Sequence, residues 1–348
     1  MPNHQELSRR KLLGALGGVG LASVGSGLGT SAYLNDTETS SDNEVVAGEL
    51  DLKVDWQEHY YRGKQIDGVR TLGGSARPQD GEWGLPWPED PQVIASTDEA
   101  VYDLMDTTSV DAWPDEDGDG VQDLILSREQ LRQEYSLDSP EEIEARYRRQ
   151  FADLPDDVSG RKPLIDLADV KPGDWGEVTF SLHLFDNPGY LWLLGALEGS
   201  SENEIVEPEK ESGDDDQAVE LLDEIQVAIW HDDGDNIAED DEVVYSPHSV
   251  DSGTTIRLSG EEALVVRGTL REVLDALADG IPLDADPSTP KRECFPNSTT
   301  RYLGFAWWLP HEVGNEVQTD SVTFDLGFYT EQCRHNDGEG SPPKPGGE

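Results

Sequence analysis

From Val45 to Trp56 the chain sets Val46, Leu50, Leu52, Val54 and Trp56 against Glu49, Asp51, Lys53 and Asp55. This alternation predicts a strand with one wet face, spanning 45–59. Beyond it the pattern breaks. Between Tyr60 and Gly160, Gly, Pro and acidic residues dominate, and only short helices are indicated. They are Asp98–Met105 after Ser96 or Thr97, Arg128–Tyr135 with Ser127 and Gln130 placed as a capping box, and Glu141–Phe151. Residues 60–160 are therefore expected to be an acidic insertion between the first and second strands of a β-domain. Regular β pattern returns at Leu164, and 161–333 is the expected core. Asp169–Asp174 is a turn, Gly176–Leu184 alternates, and Asn187-Pro188-Gly189 turns into Tyr190–Leu194. Ser200–Gln217 reads as a solvated acidic linker. Ile225–His231 and Val243–Tyr245 are candidate partner strands, and Thr269–Ala278 is a helix with Glu272 in the capping box and Gly280 as its stop. Tyr302–Leu309 and Ser321–Tyr329 are the last strands, before a tail, 334–348, expected to be disordered. Strands spaced in this way predict a mainly β fold, an antiparallel jelly-roll or immunoglobulin-like β-sandwich with a mixed helical and loop insertion.

Charge changes the picture of the solvent more than that of the fold. The chain carries 74 acidic against 25 basic residues, a formal charge of −49. Such a field repels nucleic acid and anionic lipid, so neither is expected as a partner. Acidic chains of low hydropathy are often disordered. Here nine Trp, ten Tyr and seven Phe supply core material, which favours a folded protein of an extreme halophile. Molar salt cuts the Debye length to about 3 Å and removes most of the self-repulsion.

The first 32 residues carry an export pattern. Arg9-Arg10-Lys11 precedes a Gly/Ala-rich apolar run, Leu12–Val24, too short and too weakly hydrophobic for a membrane span. A twin-arginine signal with cleavage near Ala32 fits it, leaving 33–44 as a flexible leader into the first strand. No membrane association is expected after removal. In an exported chain Cys294 and Cys333 are expected to pair, closing a loop of about 40 residues for roughly 4 kcal/mol in the chain-entropy model; the alternative is two buried thiols.

Three short stretches carry a family resemblance. Gly29-Thr30-Ser31-Ala32-Tyr33-Leu34-Asn35-Asp36-Thr37-Glu38 resembles export signals cut by SipW-type peptidases. Ala47-Gly48-Glu49-Leu50-Asp51-Leu52 and Val170-Lys171-Pro172-Gly173-Asp174 are similar to the opening strand and the L-K-P-G-D turn of the TasA/camelysin (CalY) family. The resemblance implies a jelly-roll-like sandwich secreted to the cell surface or matrix, with fibre formation by a freed N-terminal segment completing a neighbour's sheet. Self-association, or association with other matrix or surface proteins, is the partner expectation. Open sheet edges recruit strands in this way.

Candidate chemistry lies in two acidic loops. Asp115, Asp117, Asp119 and Asp123 fall at positions 1, 3, 5 and 9 of the calcium-loop pattern, with Gly120 at the sharp turn and the Val121 carbonyl at position 7. Position 12 is Leu126, so Glu129 is a candidate substitute. A second register places Asp233, Asp235, Ile237 (through its carbonyl), Glu239 and Glu242 at 3, 5, 7, 9 and 12, with Asn236 at the turn and Asp232 replacing His231 at the first position. The competing reading of the first run is a chance Asp/Gly run in an acidic chain, and of the second a solvated hairpin loop. Calcium is the expected cofactor. Asn297-Ser298-Thr299 and Asn35-Asp36-Thr37 are sequons, Asn297 being the better placed. Camelysin is described as a metallopeptidase, yet His311-Glu312-Val313-Gly314-Asn315 lacks the second His of a zinc helix. Trp307-Trp308 and Trp83/Trp87 are more readily core than a carbohydrate platform. The sequence thus favours a non-catalytic surface or matrix structural protein. A secreted metalloendopeptidase and a monomeric surface binding module are the alternatives.

Overall fold

The computed structural model describes residues 50–72, 77–151, 169–213, 217–234, 236–238, 263–286 and 291–342. The signal residues Arg9, Arg10 and Ala32, the segment 33–44 and the strand Val243–Tyr245 lie outside them. The fold is mainly β, a β-sandwich of antiparallel sheets. Its strands are β1 (Asp51–Tyr61), β2 (Val69–Thr71), β3 (Trp83–Leu85), β4 (Val93–Ala95), β5 (Ser109–Trp113), β6 (Trp175–Phe185), β7 (Gly189–Glu202), β8 (Gln226–Asp232), β9 (Ala263–Thr269), β10 (Ile281–Leu283), β11 (Thr299–Trp308) and β12 (Asp320–Gln332). Six form one sheet in the order β5-β1-β6-β11-β8-β9, and β10-β7-β12 forms the facing one. The helices are α1 (Asp98–Thr108), α2 (Arg128–Glu134), α3 (Pro140–Arg149), α4 (Glu207–Ser212), α5 (Leu221–Glu224) and α6 (Leu270–Leu277). No helix among the described residues is long and apolar enough to cross a membrane.

Period-two alternation builds the main core. Val178, Phe180, Leu182 and Leu184 of β6, Leu303 and Phe305 of β11, and Val227 and Ile229 of β8 face Leu191, Leu193 and Leu326 of the smaller sheet. Phe180 meets Phe328 edge-on at 5.6 Å, and α6 closes one end with Val273, Leu274 and Leu277. Removing such a Leu or Phe side chain from water is worth about 1.5–3 kcal/mol. The helix starts where its cap predicts: Thr269 accepts from the Glu272 amide, and the Glu272 carboxylate accepts from the Thr269 amide.

The other face of the large sheet is not wet. A small sheet, β2-β4-β3, and α1 lie on it, burying Trp83, Leu85, Trp87, Val93, Leu104 and Met105 against Trp175, Trp230, Leu264 and Trp308. The expected insertion is therefore part of the packed structure and supplies β2–β5 besides helices. Its three-residue strands are too short to show alternation, and tertiary pairing creates them. At Gly84 the approach is close enough that a Cβ would sit 2.6 Å from Pro78 Cγ. All four tryptophans considered as a platform, Trp83, Trp87, Trp307 and Trp308, are buried. Two further expectations need correcting. β7 continues through Ser200 and Ser201 to Glu202 because β12 pairs with it there, so the linker begins later and contains α4. Residues 334–342 pack rather than dangle: Arg292, stacked on Trp192 at 4.1 Å, donates to the Gly338 carbonyl.

Burying both faces forces polar side chains of β1 and β6 inside, where each needs a partner. Asp55 accepts from Ser181 Oγ at 3.0 Å, from Gln122 Nε2 at 3.2 Å and, through its other oxygen, from His183 Nε2 at 2.8 Å. Tyr147 Oη and Thr300 Oγ1 lie 2.9 and 3.0 Å from His183 Nδ1. Four elements, β1, β6, β11 and α3, meet in this network. Breaking a buried pair by deleting one partner costs about 3–5 kcal/mol. His183→Ala is accordingly expected to lower unfolding stability by about that amount in molar KCl, whereas Lys171→Ala, in an exposed turn, should stay within about 0.5 kcal/mol of wild type; chemical denaturation of both checks this.

His59 joins β1 to α1 through the Met105 carbonyl at 3.0 Å, and burial pushes its imidazole down to about 4. The same cause takes His231 to about 4. An unfolded histidine titrates near 6.5, so between that value and about 4 the unfolded chain binds more protons. Stability is therefore retained above pH 6.5 and falls as pH drops towards 4, by roughly 3 kcal/mol at most for each such histidine. His59→Gln should flatten this slope in Tm measured from pH 7.5 to 4.5; an unaltered slope would sink the assignment.

Candidate metal centre

The first acidic loop follows β5 and is organised by its own backbone. Asp115 Oδ1 accepts from the amides of Gly118 at 2.7 Å and Asp119 at 3.3 Å, and its Oδ2 from Gly120 at 3.1 Å. Asp117 accepts from the Asp119 amide, Asp119 from Val121, and Asp123 from Glu116. Short polar side chains that capture nearby amides in this way stabilise turns. Gly118 and Gly120 have φ of 75° and 83°, a region that a side chain disfavours. The loop is moored to the main sheet, since Gln57 Nε2 donates to the Gly120 carbonyl at 3.1 Å and Gln57 Oε1 accepts from the Gln122 amide at 2.7 Å. Gln122 in turn reaches Asp55, linking the loop to the buried network.

One carboxylate oxygen from each of Asp115, Asp117 and Asp119 lies within 4.8 Å of the others. Asp115 is half-buried and the other two are exposed, while Val121 and Asp123 are half-buried beside them. An all-oxygen donor set of this kind suits a hard cation such as calcium rather than a thiolate- or imidazole-seeking metal. The twelfth position is not filled by Glu129. Its carboxylate turns back along α2 to Gln133 at 2.7 Å and Arg132 at 3.1 Å, and those bonds hold its carboxyl below the ordinary value. The Leu126 amide instead donates to Oε1 of Gln150, the residue after α3, whose Nε2 donates to the Leu126 carbonyl.

The second acidic run is arranged differently. His231 and Asp232 end β8, and the Asp232 carboxylate accepts from Gly234 at 2.8 Å, Asn236 at 3.4 Å and Trp230 Nε1 at 3.3 Å. Burial pushes that carboxyl up to about 7. Ile237 and Ala238 are core residues of the cluster beneath α1, and Asp233 is half-buried. Asp235, Glu239 and Glu242 lie outside the described residues. Cys294 and Cys333 are disulfide-bonded with Cα atoms 6.3 Å apart. The Asn297 amide donates to the Asp186 carbonyl at 3.1 Å, engaging the nitrogen a glycan would take up. His311 lies in a loop against Gly173, its Nε2 3.4 Å from the Gln92 carbonyl, and Asn315 opens a 3-10 helix.

Among the described residues a second group of carboxylates converges as closely as the first. Glu202 ends β7, Glu220 precedes α5 and Asp320 opens β12, with no local spacing that would reveal them in the sequence. Neither group contains a histidine. No family model matches the chain, and no curated protein matches it in sequence.

The first loop generates a direct expectation. A ligand that binds only the folded state at a hundred times its Kd adds about 2.7 kcal/mol. For the chelator-treated protein in molar KCl, millimolar calcium should raise Tm by a few degrees, and Asp115→Asn combined with Asp117→Asn should reduce that rise. An identical rise in the double variant would leave the loop as a turn and nothing more.

Proposed function

We propose that the chain is a secreted structural protein of the cell surface or extracellular matrix, assembling with copies of itself through a strand edge and stiffened by calcium. The observation that carries this reading is β12. It is the outer strand of its sheet, 13 residues long, and among the described residues it pairs along one side only, with β7. Such an edge presents a row of backbone donors and acceptors to another strand. Its end is anchored where β12 runs into the disulfide at Cys333, and the Cys333 amide donates to the Pro188 carbonyl at 3.1 Å. The occupant proposed is the segment 33–44 of a neighbouring copy, polar and placed directly ahead of the first strand pattern.

The disulfide supports an oxidising, extracellular setting. Two chains of charge −49 repel each other unless salt screens them or cations bridge them, so assembly and calcium belong to one reading. The resemblance of Ala47–Leu52 and Val170–Asp174 to the TasA/camelysin family points the same way.

A chain beginning at Tyr33, held in molar KCl, should sediment as large ordered species and show filaments in negative stain, more so with calcium. Deleting 33–44 should return it to the monomer without lowering Tm appreciably. A monomer under every condition would overturn the assembly reading and favour a surface binding module.

A further inference from the structure

The crossing from the smaller sheet to the larger one runs from the end of β7 through α4 and α5 to β8. Where it leaves β7, Glu202 stands directly opposite Asp320, the first residue of β12. Where it reaches α5, the Leu221 amide donates to Asp320 Oδ2 at 2.9 Å, and Glu220 precedes that amide. One oxygen from each of Glu202, Glu220 and Asp320 lies within 4.8 Å of the others, and Glu202 is only 9% exposed. Carboxylates held this close, and largely out of water, repel unless a cation or shared protons separate them.

A separate observation points to a ligand. Glu209 of α4 is wholly buried, and its Oε1 has no hydrogen-bond partner, although Oε2 accepts from the Val206 amide. Asp320 Oδ1 is likewise buried without one. Burial pushes the Asp320 carboxyl up, hydrogen bonds with the Leu221 amide and the Glu202 side chain pull it down, and the negative charges of Glu220 and Glu209 push it up. Buried acceptors without donors are costly, and a hard cation satisfies several at once.

We propose that Glu202, Glu220 and Asp320, supported by the buried Glu209, form a second divalent-cation site of the calcium class, which staples the sheet-to-sheet crossing to the end of the β7–β12 pair. It is independent of the acidic loop after β5 and of the assembly reading. Its ligands are all carboxylate oxygens, the donor type calcium takes. Binding would hold the start of β12, the edge strand, against α5.

The test uses the full chain in molar KCl, treated with chelator, in an Asp115→Asn, Asp117→Asn background that disables the first loop. Hydrogen exchange with and without calcium chloride should show the Leu221 amide and residues 199–202 and 320–323 slowed at least tenfold by calcium. Calorimetric titration should show one further calcium lost when Glu220→Gln and Asp320→Asn are added. Exchange unaltered by calcium at those positions would overturn the proposal even if the last variant fails to fold. So would an unchanged calcium count in a folded variant. Protection gained on acidification but not with calcium would also overturn it, assigning shared protons to the cluster instead.

Discussion

Eleven residues of β1, Asp51 to Tyr61, lie opposite β6 from Phe185 to Trp175 without a break in register. The whole insertion is spanned by that pairing, and most of the structure is a consequence of it. β1 brings Val54, Trp56 and Tyr60 to the main core on one face and Asp55, Gln57 and His59 to the opposite face. Because α1, the small sheet and α3 cover that second face, the polar set is buried. Asp55 must then find Ser181 and His183, Gln57 must find the acidic loop, and His59 must find Met105. A slip of one residue would exchange the two faces of β1 and leave every one of these groups unsatisfied.

Acidity is distributed unequally. Most carboxylates of the insertion and of the helices lie at the surface, where molar salt screens them. A few do not. Asp55 is buried and answered by histidine, Asp232 is buried and answered by backbone amides, and Glu209 lies buried near other carboxylates. This ordering separates two uses of the same residue type. Surface carboxylates govern solubility, whereas the converging groups at 115–119 and at 202, 220 and 320 have the donor chemistry of cation sites.

Edge exposure and coverage divide the sandwich along similar lines. The large sheet is covered on both faces, and its interior is dense with aromatic rings. The smaller sheet ends in β12, whose exposed and half-buried residues alternate near Asp320 before the strand becomes more buried towards Leu326. The disulfide after β12 and the acidic cluster at its start stand at the two ends of this strand.

Three helix starts were legible in the sequence because caps are local: Thr97, Ser127 and Thr269 each accept an amide within the next turn. So were the long strands β1, β6, β11 and β12, whose alternation spans enough residues to be seen, and the Asp115–Asp123 loop, whose carboxylates lie within nine consecutive positions. What the sequence could not show was set by contacts between distant segments. The three-residue strands β2–β4 arise only by pairing, β7 is prolonged through serine and glycine by β12, and the residues after β12 are ordered by Arg292. The Glu202, Glu220 and Asp320 group is the clearest instance. Local chemistry writes caps, turns and alternation into neighbouring residues, but which carboxylates meet depends on the register of strands and the path of a crossing, and only the folded chain decides that.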